Sequence, residues 1–345
     1  MMDEQDTSAA ASDSSDELRK LAHAHLQVRH WSQAQEIFLK LLAQNQEDED
    51  ALTGLGAALD GLGQYNALYE LAERLLTIVP NSAHGLAYKA RALQKLERLS
   101  EATIANDQAL LLDTRLGLAW INRSGLQLLQ QKLPEALRSS YRAIELAPDD
   151  ARAWTNHSLA LLNFHRLAEA FEAINRSLEL DRANLLALQI KSDILCKQGR
   201  MRDALPVIHA ALALAPTHIP SLIQAIQALR SLEMYAQLKD VARQLTILLP
   251  DDPFAWENYM RALRGLGAFE ASLEALDRLL ELDPMNARTW TFKADSLYRT
   301  ARYREAASTA ERALRLAPDY APALRLQSKA TRMMYQKKEK HSNRP

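Results

Sequence analysis

The chain has 345 residues, 48% of them apolar and 25% charged, with a formal net charge of −1. That balance describes a folded, soluble chain and argues against one that seeks polyanions through bulk charge. The single cysteine, Cys196, excludes an intrachain disulfide and a cysteine-based zinc cluster, and it fits a reducing compartment.

Residues 1–14 are rich in Ser, Asp and Ala and have no apolar periodicity, so disorder is expected there. They lack the basic start and apolar run of a secretory leader, and neither cleavage nor export is expected. No uninterrupted apolar run reaches the roughly 18 residues that cross a bilayer. A cytoplasmic location without a transmembrane segment is therefore predicted.

From Ser15 onward the chain follows a 34-residue period, and nine repeats fill 15–320, starting at Ser15, Glu49, Ala83, Gly117, Ala151, Leu185, Ile219, Pro253 and Ala287. Each repeat reads as two amphipathic helices and a turn, with apolar residues three and four apart. Position 4 is large and apolar in every repeat: Leu18, Leu52, Leu86, Trp120, Trp154, Leu188, Leu222, Trp256 and Trp290. The core is expected to depend on this column. Position 17 is a second apolar column, from Trp31 and Tyr65 to Phe269 and Tyr303. Position 20 is mostly alanine, at Ala34, Ala102, Ala136, Ala170, Ala204 and Ala306, which lets helices approach closely. Leu68, Leu238 and Ser272 depart from it and predict locally altered spacing.

Proline placement tests the scheme, because a proline inside a helix costs roughly 3 kcal/mol. Pro80, Pro148, Pro216, Pro250, Pro284 and Pro318 close repeats, Pro220, Pro253 and Pro322 open first helices, and Pro134 sits in the first turn of a second helix. Pro206 lies deeper in a second helix, and a kink or a late helix start is expected there. Residues 321–338 restart the pattern as a polar helix that caps the stack, and 339–345 read as a basic disordered tail.

This pattern resembles the tetratricopeptide repeat, whose helix pairs carry Trp, Leu, Gly and Tyr columns in the first helix and Ala, Phe, Ala and Pro columns in the second. The resemblance implies an all-α fold: a right-handed α-solenoid superhelix of about nine helix-turn-helix repeats plus a C-terminal capping helix. Each repeat is expected to contact only its neighbours. The resemblance also implies a concave wall built from positions 2, 5, 6, 9, 12 and 13 of the first helices.

No stretch proposes catalysis. Two-residue spacing keeps His23 and His25 from facing each other on a helix, so His23, His25 and His30 do not form a metal site. Gly54, Gly56 and Gly61 lack phosphate-loop spacing and read as close helix packing. Cys196 reads as an inert thiol. No enzyme activity, cofactor, metal or small-molecule substrate is expected.

Read at the wall positions, repeats 1–3 give a mixed polar lining that includes Arg91. Repeats 4–7 give apolar Leu118, Ile121, Leu159, Leu186, Ile190 and Ile223, and repeats 8 and 9 add Phe254 and Arg261. Apolar side chains on a surface that the fold need not bury mark an interaction site. Asn122, Asn156 and Asn258 follow the packing Trp by two residues, and an amide column can hold an extended peptide backbone. These residues form the predicted groove for a protein or peptide partner, and the predicted function is a non-enzymatic interaction scaffold or adaptor. Two alternatives stand beside it. One is a substrate-presenting accessory subunit of a modifying enzyme such as a glycosyltransferase. The other is binding of nucleic acid or an anionic surface by the basic C-terminus, Arg325 to Arg344.

Overall fold

The computed structural model describes residues 3–342, with side chains from 15 to 336. Where disorder is expected at 1–14 and 339–345, the described backbone is helical from Asp3 and as far as Ser342, and 1–2 and 343–345 lie outside the described residues. Among the described residues there are nineteen helices and no strand, and the chain is an all-α solenoid of helix-turn-helix repeats.

Within the period the chain divides into two compact units, 1–182 and 183–345. The first unit holds five helix pairs: α1 (Asp3–Gln27) with α2 (Trp31–Gln44), α3 (Glu49–Leu62) with α4 (Tyr65–Ile78), α5 (Ala83–Lys95) with α6 (Leu99–Leu112), α7 (Gly117–Leu129) with α8 (Leu133–Leu146), and α9 (Ala151–Asn163) with α10 (Leu167–Leu180). The second holds α11 (Leu185–Lys197) with α12 (Met201–Leu214), α13 (Ile219–Ser231) with α14 (Tyr235–Leu248), α15 (Pro253–Gly265) with α16 (Phe269–Leu282), α17 (Ala287–Arg299) with α18 (Tyr303–Leu316), and the last helix α19 (Ala321–Ser342).

The turn inside every repeat has one geometry. Position 15 is left-handed in all nine: Arg29, Gly63, Glu97, Gln131, His165, Gly199, Glu233, Gly267 and Ala301 have φ between 55° and 73°. The next amide then donates back to the carbonyl of position 11, as from Gln64 to Leu59 at 3.0 Å and from Arg302 to Leu297 at 2.9 Å. This is the Schellman arrangement, which satisfies carbonyls orphaned at the helix end. Only three of the nine positions are glycine, so six residues carry the steric cost of the left-handed region, roughly 1–2 kcal/mol each.

First helices start on side-chain caps. Asp48, Ser82, Asp150, Asn184, Asp252 and Asn286 each accept from an amide in the first turn. Leu116 and His218 stand at the same position without such a bond.

Packing is set by small residues. All six position-20 alanines are fully buried, and so are Leu68, Leu238 and Ser272 where alanine is replaced. The glycines serve as seats for aromatic rings. A Cβ on Gly61 would lie 2.4 Å from the Trp31 ring, and one on Gly265 would lie 2.5 Å from the Tyr235 ring. Gly54 and Gly56 face Phe38 and Tyr88 in the same way. The late start expected at Pro206 does not occur: α12 begins at Met201 and contains Pro206 within its 14 residues.

The Trp column does not sit in the deep core. Trp120, Trp154, Trp256 and Trp290 are half-buried. Each indole Nε1 donates to the carbonyl six residues earlier, on Thr114, Pro148, Pro250 and Pro284, at 2.7–2.8 Å. The indole therefore pins the inter-repeat turn as well as packing, because a large ring with one donor is stable where one end is apolar and the other meets a polar group.

Substituting Ala301→Gly should relieve left-handed strain and slow amide exchange across 287–316, equivalent to about 1 kcal/mol. Gly199→Ala should loosen the turn of its repeat by a similar amount. Unchanged exchange in both variants would show that the turn conformation is not the strained element.

Candidate protein-interaction surface

The first unit places most of its charge chemistry inside its own wall. Asp60, in the last turn of α3, is only 9% exposed. Arg91 Nε on α5 donates to it at 2.9 Å, and Arg152 on α9 also pairs with it, bridging residues 92 positions apart. Arg152 in turn grips Asp150, with Nη2 to Oδ2 at 2.7 Å and Nε to Oδ1 at 3.0 Å. A second bridge, Arg29 to Asp181 at 2.8 Å, ties the turn of repeat 1 to the end of repeat 5. These bonds correct the expectation that each repeat contacts only its neighbours: repeats 2 and 5 meet, as do repeats 1 and 5.

Burial alone would raise the Asp60 carboxyl, but the Arg152 and Arg91 guanidiniums outweigh it and hold the group below the usual carboxylate range. Burial and then the Asp60 charge push the Tyr88 phenol above its ordinary value, so it stays a neutral donor. A cavity of about 760 Å³ lies beside the network, bounded by Arg91, Arg152, His84, Leu118 and Trp31 among others.

The asparagines expected to face a partner are spent inside the fold. Asn122 Nδ2 donates to the Ala87 carbonyl at 2.9 Å, and Asn156 Nδ2 donates to the Ile121 carbonyl at 3.0 Å. Tyr88 and Gln224 repeat the bond at the same repeat position, to Thr53 and Gln189. Position 6 thus stitches each of these first helices to the preceding one. Asn258 instead bonds the Phe254 carbonyl of its own helix at 2.8 Å. Asn122 and Asn258 are buried, and their Oδ1 atoms accept from no group among the described residues.

The expectation of an open apolar wall also needs correction. Ile121 and Ile190 are buried, at 2% and 4% exposure, Ile121 in a cluster with Ala143 and Ala153. Leu118 is half-buried and packs against the core of the first unit. Leu159, Ile223 and Phe254 are half-buried, and Leu186 is 48% exposed. Arg91 is committed to Asp60, whereas Arg261 is exposed.

Sequence reasoning missed Asp60 and Arg152, although both fall at wall positions, 12 and 2. Leu128 and Leu162 fill position 12 in repeats 4 and 5, so a carboxylate there was the available signal. It also missed His157, which is buried with Nδ1 at 3.0 Å from Ser140 Oγ and its ring 4.5 Å from that of Tyr141. Desolvation, then the nearby Arg166 charge, lowers this imidazole to about 4. Burial also raises the Cys196 thiol, with Asp193 adding to it, which suits an unreactive side chain. Among the described residues no group of three or more His, Cys, Asp or Glu side chains could hold a metal, and no helix is long and apolar enough to cross a membrane.

Two outcomes follow for the first unit. Removing the buried carboxylate in Asp60→Ala leaves two guanidiniums without their partner and should cost about 3–5 kcal/mol, read from the urea midpoint. Because folding favours the neutral His157 ring, the unfolded chain takes up its proton first. Stability should therefore be complete above pH 6.5 and fall as pH drops toward 4. His157→Gln should flatten that part of the pH profile, and an unchanged slope would remove His157 as its source.

Residues 19–83 and 260–321 match one tetratricopeptide-repeat sequence profile, and 151–184 match a second. No curated protein matches the chain significantly. Among solved structures, the chain is similar to one in the APC/C hetero-tetramer Cut9–Hcn1, at 20% identity and a TM-score of 0.51 over 92% of this chain and 56% of that one. It thus spans little more than half the length of that neighbour. It is also similar to pilF of Pseudomonas aeruginosa, at 23% identity and a TM-score of 0.51 over 63% of this chain and 96% of that one. With the turn geometry, the buried alanine column and the matched profiles together, the chain belongs to the tetratricopeptide-repeat family.

Proposed function

We propose that the chain is a non-enzymatic cytoplasmic scaffold or adaptor that holds an extended or helical segment of another protein against its first helices. One observation carries this reading. In the second unit, large apolar side chains at the wall positions of successive first helices, Leu186, Ile223 and Phe254, stay half-buried or exposed. Apolar surface left open in a folded chain favours association. The wall of the first unit is crossed by its own ion pairs, so the second unit is the better seat. The similar solved chain in Cut9–Hcn1 is itself part of a hetero-tetramer, which suits a role in assembly.

Panning a random peptide library on the full chain should return binders. Their affinity should fall about tenfold or more for the Leu186→Asp/Ile223→Asp double variant, with helicity unchanged by circular dichroism. Equal binding by that variant would reject the wall as the seat.

A further inference from the structure

The C-terminal end of the second unit carries a concentration of positive charge that the fold uses only in part and the apolar reading does not use. On α15 the stripe at positions 2, 5, 9 and 12 is Phe254, Glu257, Arg261 and Arg264. On α17 the wall positions 2, 6, 9 and 13 carry Arg288, Phe292, Asp295 and Arg299. On α19 it carries Arg325, Lys329 and Arg332, spaced i, i+4 and i+7 and therefore on one helix face. Seven cations stand against two carboxylates, in a chain whose formal net charge is −1. Bulk composition does not produce such a stripe.

Part of this charge is internal to the fold. Arg264 lies 5.1 Å from the Phe292 ring centroid and bonds Asp295 at 2.7 Å, with further bonds to the Phe292 carbonyl and Ser296 Oγ. It uses up the Asp295 carboxylate, which Arg299 approaches only at 3.7 Å. Arg288 stacks on the same Phe292 ring at 5.3 Å. The remaining cations, Arg261, Arg325, Lys329 and Arg332, are exposed and form no ion pair among the described residues. Like charges held on neighbouring helices repel, and a fold gains nothing from aligning them unless an anion relieves the repulsion.

We infer that this stripe is a docking surface for an acidic segment of a partner protein, bound extended across the first helices of repeats 8 and 9 and the last helix. This deepens the scaffold reading and rests on it. Packed helices lie roughly 8–10 Å apart, and three residues of extended chain span about 10 Å. A segment crossing the helices therefore meets a fresh set of cations at every third residue, and carboxylates at that spacing match the stripe. Half-buried Phe254 offers apolar contact between the charges. A nucleic acid presents denser charge and needs stacking platforms, whereas the Phe292 face is already covered by Arg264 and Arg288.

The test uses the full chain and a fluorescein-labelled peptide of about 12 residues, with Glu at every third position and Ala or Leu between. Fluorescence anisotropy should show binding that weakens with salt. The Arg261→Glu/Arg325→Glu/Lys329→Glu variant should lose about tenfold or more in affinity. All three side chains are exposed, and circular dichroism checks that the variant remains folded. The glutamine version, R261Q/R325Q/K329Q, should show a smaller loss. No binding of the peptide by the wild type, or equal binding by the triple Glu variant, overturns the proposal. Equal or tighter binding of an oligothymidylate of the same charge overturns it in favour of a general polyanion surface. Library-selected binders that depend on Leu186 and Ile223 would leave the scaffold reading intact even then, so the two failures can be told apart.

Discussion

The left-handed residue at position 15 is the constraint on which the repeat depends. It reverses the chain within three residues and lets the following amide close onto position 11, so the second helix leaves the first at the same angle nine times over. Every other column is read relative to that angle. The position-20 alanines are fully buried because the two helices come close, and the ring seats at Gly61 and Gly265 exist because the next first helix arrives at a fixed height. That the turn survives with Arg, Glu, Gln, His or Ala at this position shows how strongly the packing around it dictates the conformation.

Much of this was legible in the sequence. The period, the proline positions and the alanine column are local regularities, and they place both helices of each repeat. The left-handed turn was not foreseen, because only Gly63, Gly199 and Gly267 announce it. The tryptophans, read as core, are only half-buried, with Trp120 and Trp256 packed against it, and the indole N–H that reaches the turn carbonyl leaves no trace in a periodicity. The asparagines misled for a related reason. An amide at position 6 suits an incoming backbone, but it suits the neighbouring helix equally, and that carbonyl is already in place. Asp60 and Arg152 lie 92 residues apart and meet only once the five repeats have curved toward each other.

The two units handle charge at their first helices in opposite ways. In the first unit Arg19, Arg29, Arg91 and Arg152 are matched by carboxylates of the same chain, and the two guanidiniums beside Asp60 keep its carboxyl ionised despite desolvation. In the second the aligned cations of repeats 8 and 9 and the last helix are mostly uncompensated. Self-neutralised pairs fix a conformation, whereas unmatched charge attracts from outside and weakens with salt. Repeats of one fold can thus be turned to internal bracing or to recognition by changing a few positions that the packing does not use.

The bridge from Asp60 to Arg152 also alters how the first unit should behave as a polymer. A tandem array in which only adjacent modules touch is a one-dimensional system, tolerant of in-frame excision or duplication because each boundary is equivalent to the next. Joining the second module to the fifth closes a ring of interactions around the third and fourth, so their number becomes part of the design. Lengthening or shortening this arm by one module would leave every local boundary intact and still pull the two ends of the bridge out of reach.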